Sequence, residues 1–205
     1  MNQDQANIRT IKKRAGIIQK VVQFIFIIGV ILLIATLIVA AVLFFASPDK
    51  FNAVQGSMDW SIHYTLNNGS TFFIDVPYKI IQLSDSRFSA KYAAIASLLS
   101  ISISISFIMY GIMQVSNIFK STAHDITPFI MDNVKSLENI AYTVIIYSVT
   151  VNFLTNLLFL VFVTKMYISF SSFHLSGVLT GMLIFFMADI FKYGVFLQKE
   201  FDTTL

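Results

Sequence analysis

The chain has 205 residues, of which 56% are hydrophobic and only 12% charged, and Phe alone occurs 21 times. Soluble domains average about a quarter charged residues, and a chain of this size lacks the interior volume to hide so much apolar surface from water. A soluble globular enzyme is therefore argued against, and so is a disordered chain, which needs low hydrophobicity. Cys is absent, which excludes disulfides, Cys metal sites and thiol catalysis, and the net charge of +3 is not that of a direct nucleic-acid binder.

Four stretches carry no Asp, Glu, Lys or Arg: residues 21–48, 92–119, 139–164 and 166–188, the last interrupted only by His174. A helix needs about 20 apolar residues to cross the hydrocarbon core, and backbone groups in lipid must be satisfied within their own segment. The expected fold is thus an all-α membrane protein, a four-helix transmembrane bundle. In chain order it has a basic cytoplasmic N-terminus (1–16), a first span (17–46) and a large outer loop (47–90). A second span (91–119), an inner loop (120–137) and a third span (138–165) follow. A short outer loop (166–174), a fourth span (175–197) and an inner tail (198–205) complete it. Arg9, Lys12, Lys13, Arg14 and Lys20 precede the first span and place the N-terminus inside, because Lys and Arg near span ends stay in the cytoplasm. Four spans return the C-terminus to the same side. The basic start also fits a cleaved signal peptide, but the apolar run is about twice a normal h-region and no small-x-small site ends it. It reads as a retained span.

The outer loop is expected to contain a small β-hairpin. Residues 60–66 are β-branched and aromatic, Asn68-Gly69 is a turn signal, and residues 71–76 form the return strand, which Pro77 stops. A lone hairpin is marginal in water, so it should pack on more of the loop or on the helix ends. Asn68-Gly69-Ser70 fits a glycosylation pattern, which the turn already explains. Trp60, Tyr78 and Tyr92 are candidates for the outer interface and Tyr193 for the inner one.

In the second span Ser100, Ser102, Ser104 and Ser106 alternate with Ile, a strand-like period of two. Without turn residues in a long uncharged run, the segment reads as helix, its hydroxyls bonding to carbonyls one turn earlier. Ala93, Ser97, Ser100 and Ser104 make a small-residue face, and Gly177 with Gly181 in the fourth span makes a second; both permit close helix packing against another span or another protomer. Before the third span, Thr127-Pro128 reads as a hydroxyl cap followed by proline at the first helical position, with Phe129, Val134, Leu137 and Ala141 at helical spacing.

Three polar groups of residues are candidate sites. Asp189 and Lys192 share one helix face and read either as an ion or proton site or as a structural pair near the inner interface. Asn152 and Asn156, one turn beyond Ser148, line a pathway or supply interhelical hydrogen bonds. His63, His124 and His174 are scattered, which is not metal-ligand spacing. No phosphate loop, zincin helix, nucleophile elbow or dinucleotide fingerprint is present, so neither catalysis nor a cofactor or metal is expected.

Two segments resemble a bacterial membrane family catalogued as domain of unknown function 2975. The tail Gly194-Val195-Phe196-Leu197-Gln198-Lys199-Glu200-Phe201-Asp202-Thr203-Thr204-Leu205 resembles that family's ending, with Thr203 where Leu is usual. Pro128-Phe129-Ile130-Met131-Asp132-Asn133-Val134-Lys135-Ser136-Leu137 resembles its stretch ahead of the third span. The resemblance implies a four-span protein, often encoded beside a small helix-turn-helix regulator that it would restrain or signal to. Phe129, Asp132, Asn133, Gly194, Gln198, Glu200 and Asp202 are then candidates for a partner site or a tail-to-loop hydrogen-bond clasp. The expected function is that of a non-enzymatic regulatory or sensing protein of the bacterial plasma membrane. The bilayer and that regulator are its expected partners, and a membrane-protein partner or a homo-oligomer is left open. The alternatives are an immunity protein against a membrane-active peptide and a small transporter or channel subunit.

Overall fold

The computed structural model describes residues 3–55, 59–66, 69, 71–77, 89–124, 127–163 and 174–204. Among them are four long helices, α1 (Gln3–Phe45), α2 (Ala90–His124), α3 (Met131–Phe162) and α4 (Leu175–Thr204), and three strands, β1 (Phe51–Gln55), β2 (Asp59–Thr65) and β3 (Thr71–Pro77). All four helices are long and apolar enough to cross a membrane. Asn68 of the expected turn, the stretch 78–88 with Tyr78, and residues 164–173 of the short outer loop lie outside the described residues.

The helices outrun the apolar stretches that announced them. At about 1.5 Å per residue, the 43 residues of α1 extend well past a hydrocarbon core of about 30 Å, and the basic N-terminal segment is part of the same helix. The helix α2 continues to His124, and α4 carries what was expected to be a separate tail. Once a helix is nucleated each further residue adds a hydrogen bond; no Pro interrupts these extensions, and Gly16 is carried within α1. The start of α3 is displaced the other way. Pro128 is not its first residue, because the Pro128 carbonyl accepts from Ile130 N (3.1 Å) and from Asn133 Nδ2 (2.8 Å). Thr127 Oγ1 instead accepts from Phe129 N (3.1 Å), closing a hydroxyl turn ahead of the helix.

The chain forms two compact units. The first comprises Met1–Ile31, Ser106–Ser148 and His174–Leu205. Small residues set its helix contacts. Gly29 of α1 takes the Met109 thioether of α2, where a Cβ would collide with it. Gly177 and Gly181 of α4 accommodate Ser148 and Ile145 of α3, and a Cβ at Gly181 would also lie 3.1 Å from the Ala141 carbonyl. The glycine pair thus serves a contact within the chain. Tyr142 and Phe185 meet edge-on at 4.7 Å between ring centroids, and Phe107 and Tyr147 at 5.8 Å.

The second unit comprises Leu32–Ile105 and Val149–Phe173. Its sheet is antiparallel in the order β1-β2-β3. The hairpin of β2 and β3 is as expected, with Trp60 opposite Val76 and Ile62 opposite Ile74, and Gly69 adopts φ +83° between the strands, a conformation open to glycine. The third strand, β1, was not anticipated. It pairs with β2, placing Phe51 opposite Tyr64, and so completes the support that an isolated hairpin lacks. Alternation puts Phe51, Trp60, Ile62 and Val76 into one core with Ala40 and Leu43 of α1, Ala93, Ala96 and Leu98 of α2, and Phe159 of α3. The opposite face is mixed: Ser61 donates to Asp75 at 2.6 Å, and Val54 and Phe73 are exposed beside them. Lys91, nearly buried at the start of α2, donates to the Ala46 carbonyl at 2.7 Å and lies 5.8 Å from both the Phe44 and Tyr92 rings. An ammonium there offsets the negative C-terminal end of α1.

The Ile-Ser stretch is helical, and Ser97, Ser100 and Ser102 each donate to the carbonyl four residues earlier. Ser102 also meets Thr36 of α1 at 3.0 Å. Ile62 is 1% exposed whereas Ile101 is 43% exposed. Ile62→Ala is therefore expected to destabilise the protein by about 2–5 kcal/mol and Ile101→Ala by under about 1 kcal/mol, as measured by thermal unfolding in detergent.

Candidate functional site

The two segments quoted for the family resemblance meet in the first unit, and they meet through Phe129. Its ring packs on Phe191 of α4 at 5.3 Å between centroids. It also covers Gly194: a Cβ there would lie 2.5 Å from Phe129 Cδ1 and 2.9 Å from Cε1. Glycine at this position of the tail motif is thus required by the phenylalanine of the other motif. The contact of Phe129 with Phe191 and Gly194 is apolar.

Asn133 fixes the turn that presents Phe129. It is 1% exposed. Its amide nitrogen donates to the Pro128 carbonyl, and its Oδ1 accepts from Ser121 Oγ of α2 at 2.5 Å. One side chain therefore ties the turn to α3 and α3 to α2. The N-terminal segment joins the same corner, since Lys12 Nζ lies 3.4 Å from the His124 carbonyl that ends α2. A cation here satisfies a carbonyl that the helix leaves open.

Beside this latch lies an open cleft of about 480 Å³ between the last turns of α2 and the first turns of α3. Lys120, His124, Asp132 and Lys135 are exposed around it, while Asn133 and Ser136 are buried in its wall. Sequence reasoning singled out Asp132 and Asn133 but missed the rest. The signal was present: Asn117, Lys120, Ser121 and His124 recur at the spacing of one helix face, but residues 120–124 of α2 were read as loop.

Other candidates are placed without being joined. Asp189 and Lys192 are both exposed on α4. Among the described residues no ion pair links them. Asn152 and Asn156 are half-buried on α3 in the second unit, as are Ser100 and Ser104 on α2. In the tail, Gln198 Oε1 is buried with no donor among the described residues, Glu200 is exposed, and the Asp202 side chain lies outside them. Among the described residues no cluster of His, Asp or Glu has metal-binding geometry.

These features define a class, a helical protein with four membrane-capable helices, a three-stranded sheet, and a packed corner built from its turn and tail motifs. The sequence profile described as "Protein of unknown function (DUF2975)" matches residues 78–205, and the chain belongs to that family. Comparison with curated proteins and with solved structures found no match. The matched range takes in α2, α3, α4 and all of the corner except Lys12.

Asn133→Ala removes the latch but leaves Ser121 bonded to the Ile118 carbonyl at 3.0 Å and Pro128 to Ile130. Its expected cost is therefore moderate, about 1–3 kcal/mol, together with faster amide exchange at Phe129 and Ile130 measured by hydrogen–deuterium exchange.

Proposed function

We propose that the chain is a non-enzymatic, multi-pass protein of the bacterial plasma membrane, with both termini in the cytoplasm. It restrains or signals to a small helix-turn-helix regulator held at the corner of the α2–α3 turn and the α4 tail. The reading rests on the Phe129–Gly194 contact. That contact makes one surface from two separated motifs, so a partner touching either segment is sensitive to both. The orientation rests on the basic N-terminal segment. The exposed acceptor Glu200 suits a basic partner surface, whose approach such charges steer. The sheet is the receiving element, with Val54 and Phe73 exposed on one of its faces.

Affinity purification of the tagged chain from native membranes tests this reading. The full chain is expected to retain the regulator. A chain lacking residues 198–205 is expected to insert and fold normally and to retain below about a tenth as much. Equal retention by the two chains, or a loss that only follows loss of folding, removes the reading.

A further inference from the structure

We propose that the cleft between the end of α2 and the start of α3 is an anion site that takes a phosphate group. Its volume, about 480 Å³, falls within the roughly 300–1,000 Å³ of small-molecule sites. Every described residue that lines it carries a polar side chain, and several of these are donors. Ser136 lines it and is 7% exposed, so its hydroxyl can donate only toward the cleft or within its own wall. Lys120 and Lys135 line it too, and among the described residues neither is engaged in an ion pair, although Asp132 shares the rim.

The sign of the ligand follows from the charges. Among the described residues two ammonium groups and one carboxylate line the cleft, with His124 a further N–H donor and Lys12 close behind at the His124 carbonyl. The two helix ends contribute opposite partial charges, α2 its negative end and α3 its positive one, so the side chains decide. A cation would meet the two lysines, whereas a phosphate oxyanion accepts charge-assisted hydrogen bonds from them and from Ser136. Asn133 and Ser121 supply the wall and not the ligand contacts, because their best groups are spent on each other and on Pro128.

Two sources carry this chemistry. Lys120 is the first charged residue after the apolar stretch 92–119, and Glu138 the last before 139–164. In the membrane reading the cleft therefore lies at headgroup depth, where an anionic phospholipid supplies the phosphate. A free phosphate from the cytoplasm supplies the same group.

The test uses the full chain in nanodiscs. One arm compares discs of phosphatidylcholine alone with discs containing phosphatidylglycerol, and native mass spectrometry reads the lipid retained on the protein. The other arm titrates inorganic phosphate calorimetrically into the phosphatidylcholine discs. Preferential retention of phosphatidylglycerol assigns the lipid source; binding of inorganic phosphate assigns the soluble one. In either case the double variant Lys120→Gln, Lys135→Gln is expected to weaken binding by about tenfold or more, and Lys20→Gln, the same change on exposed α1, to leave it within about twofold. Asp132→Asn removes the repelling charge and is expected to strengthen binding severalfold, which keeps the test decisive if the double variant does not fold. Binding of neither probe by the unaltered chain, equal binding by the double variant, or weaker binding by Asp132→Asn overturns the proposal.

Discussion

Polar groups far from water must find partners inside the chain, and this constraint organises the whole molecule. In the helices the backbone meets it by construction. Most hydroxyls meet it locally: Thr36, Ser97, Ser100, Ser102, Thr122, Thr143, Ser148 and Thr180 all donate to a carbonyl three or four residues earlier. A hydroxyl satisfied on its own helix contributes little to helix–helix attraction. Contacts between helices therefore fall to shape, as at Gly29, Gly177 and Gly181, and to the few polar groups that do reach another element.

Those few are concentrated where the chain changes direction. Lys91 closes the end of α1 in the second unit, and in the first unit Asn133, Ser121 and Lys12 gather at the end of α2. At a turn the helix ladder stops and leaves carbonyls and amides without partners, so a side chain that reaches them has a larger effect than it would in mid-helix. The family's turn motif falls on such a place. Its Asn serves the turn and its Phe serves the neighbouring helix, so each residue answers a separate need, of hydrogen bonding and of packing.

The sequence disclosed what depends on solvent and concealed what depends on neighbours. Absence of charge announced all four membrane-capable helices, and it prevailed over the strand-like period of the Ile-Ser stretch because nothing nearby could close a turn. The hairpin was legible from Asn68-Gly69 and the alternating strands around it. The strand β1 was not, since Phe51-Asn52-Ala53-Val54-Gln55 has weak strand propensity of its own and is fixed by pairing with β2 and by the burial of Phe51. Helix ends were misplaced wherever polar residues were taken for loop, and that error hid the cleft, whose walls are the polar turns of α2 and α3. Pro128 misled in the other direction: its carbonyl, committed to Ile130 and Asn133, holds the chain in a turn where proline alone signals a helix start.

The commitment of Asn133 also bears on what the corner can recognise. An asparagine amide offers two donors and one acceptor oxygen, and here its nitrogen serves Pro128 while its oxygen receives Ser121. Buried and engaged at both ends, it is a strut, and it holds Phe129 against α4 on one side and the cleft wall on the other. Recognition is left to the exposed groups, Lys120, His124, Asp132 and Lys135, whose long or rotatable side chains adjust to a ligand without disturbing the strut. The strut also positions the ring that seats Gly194, so the α2–α3 turn, the cleft wall and the α4 tail share one buried side chain as their common support.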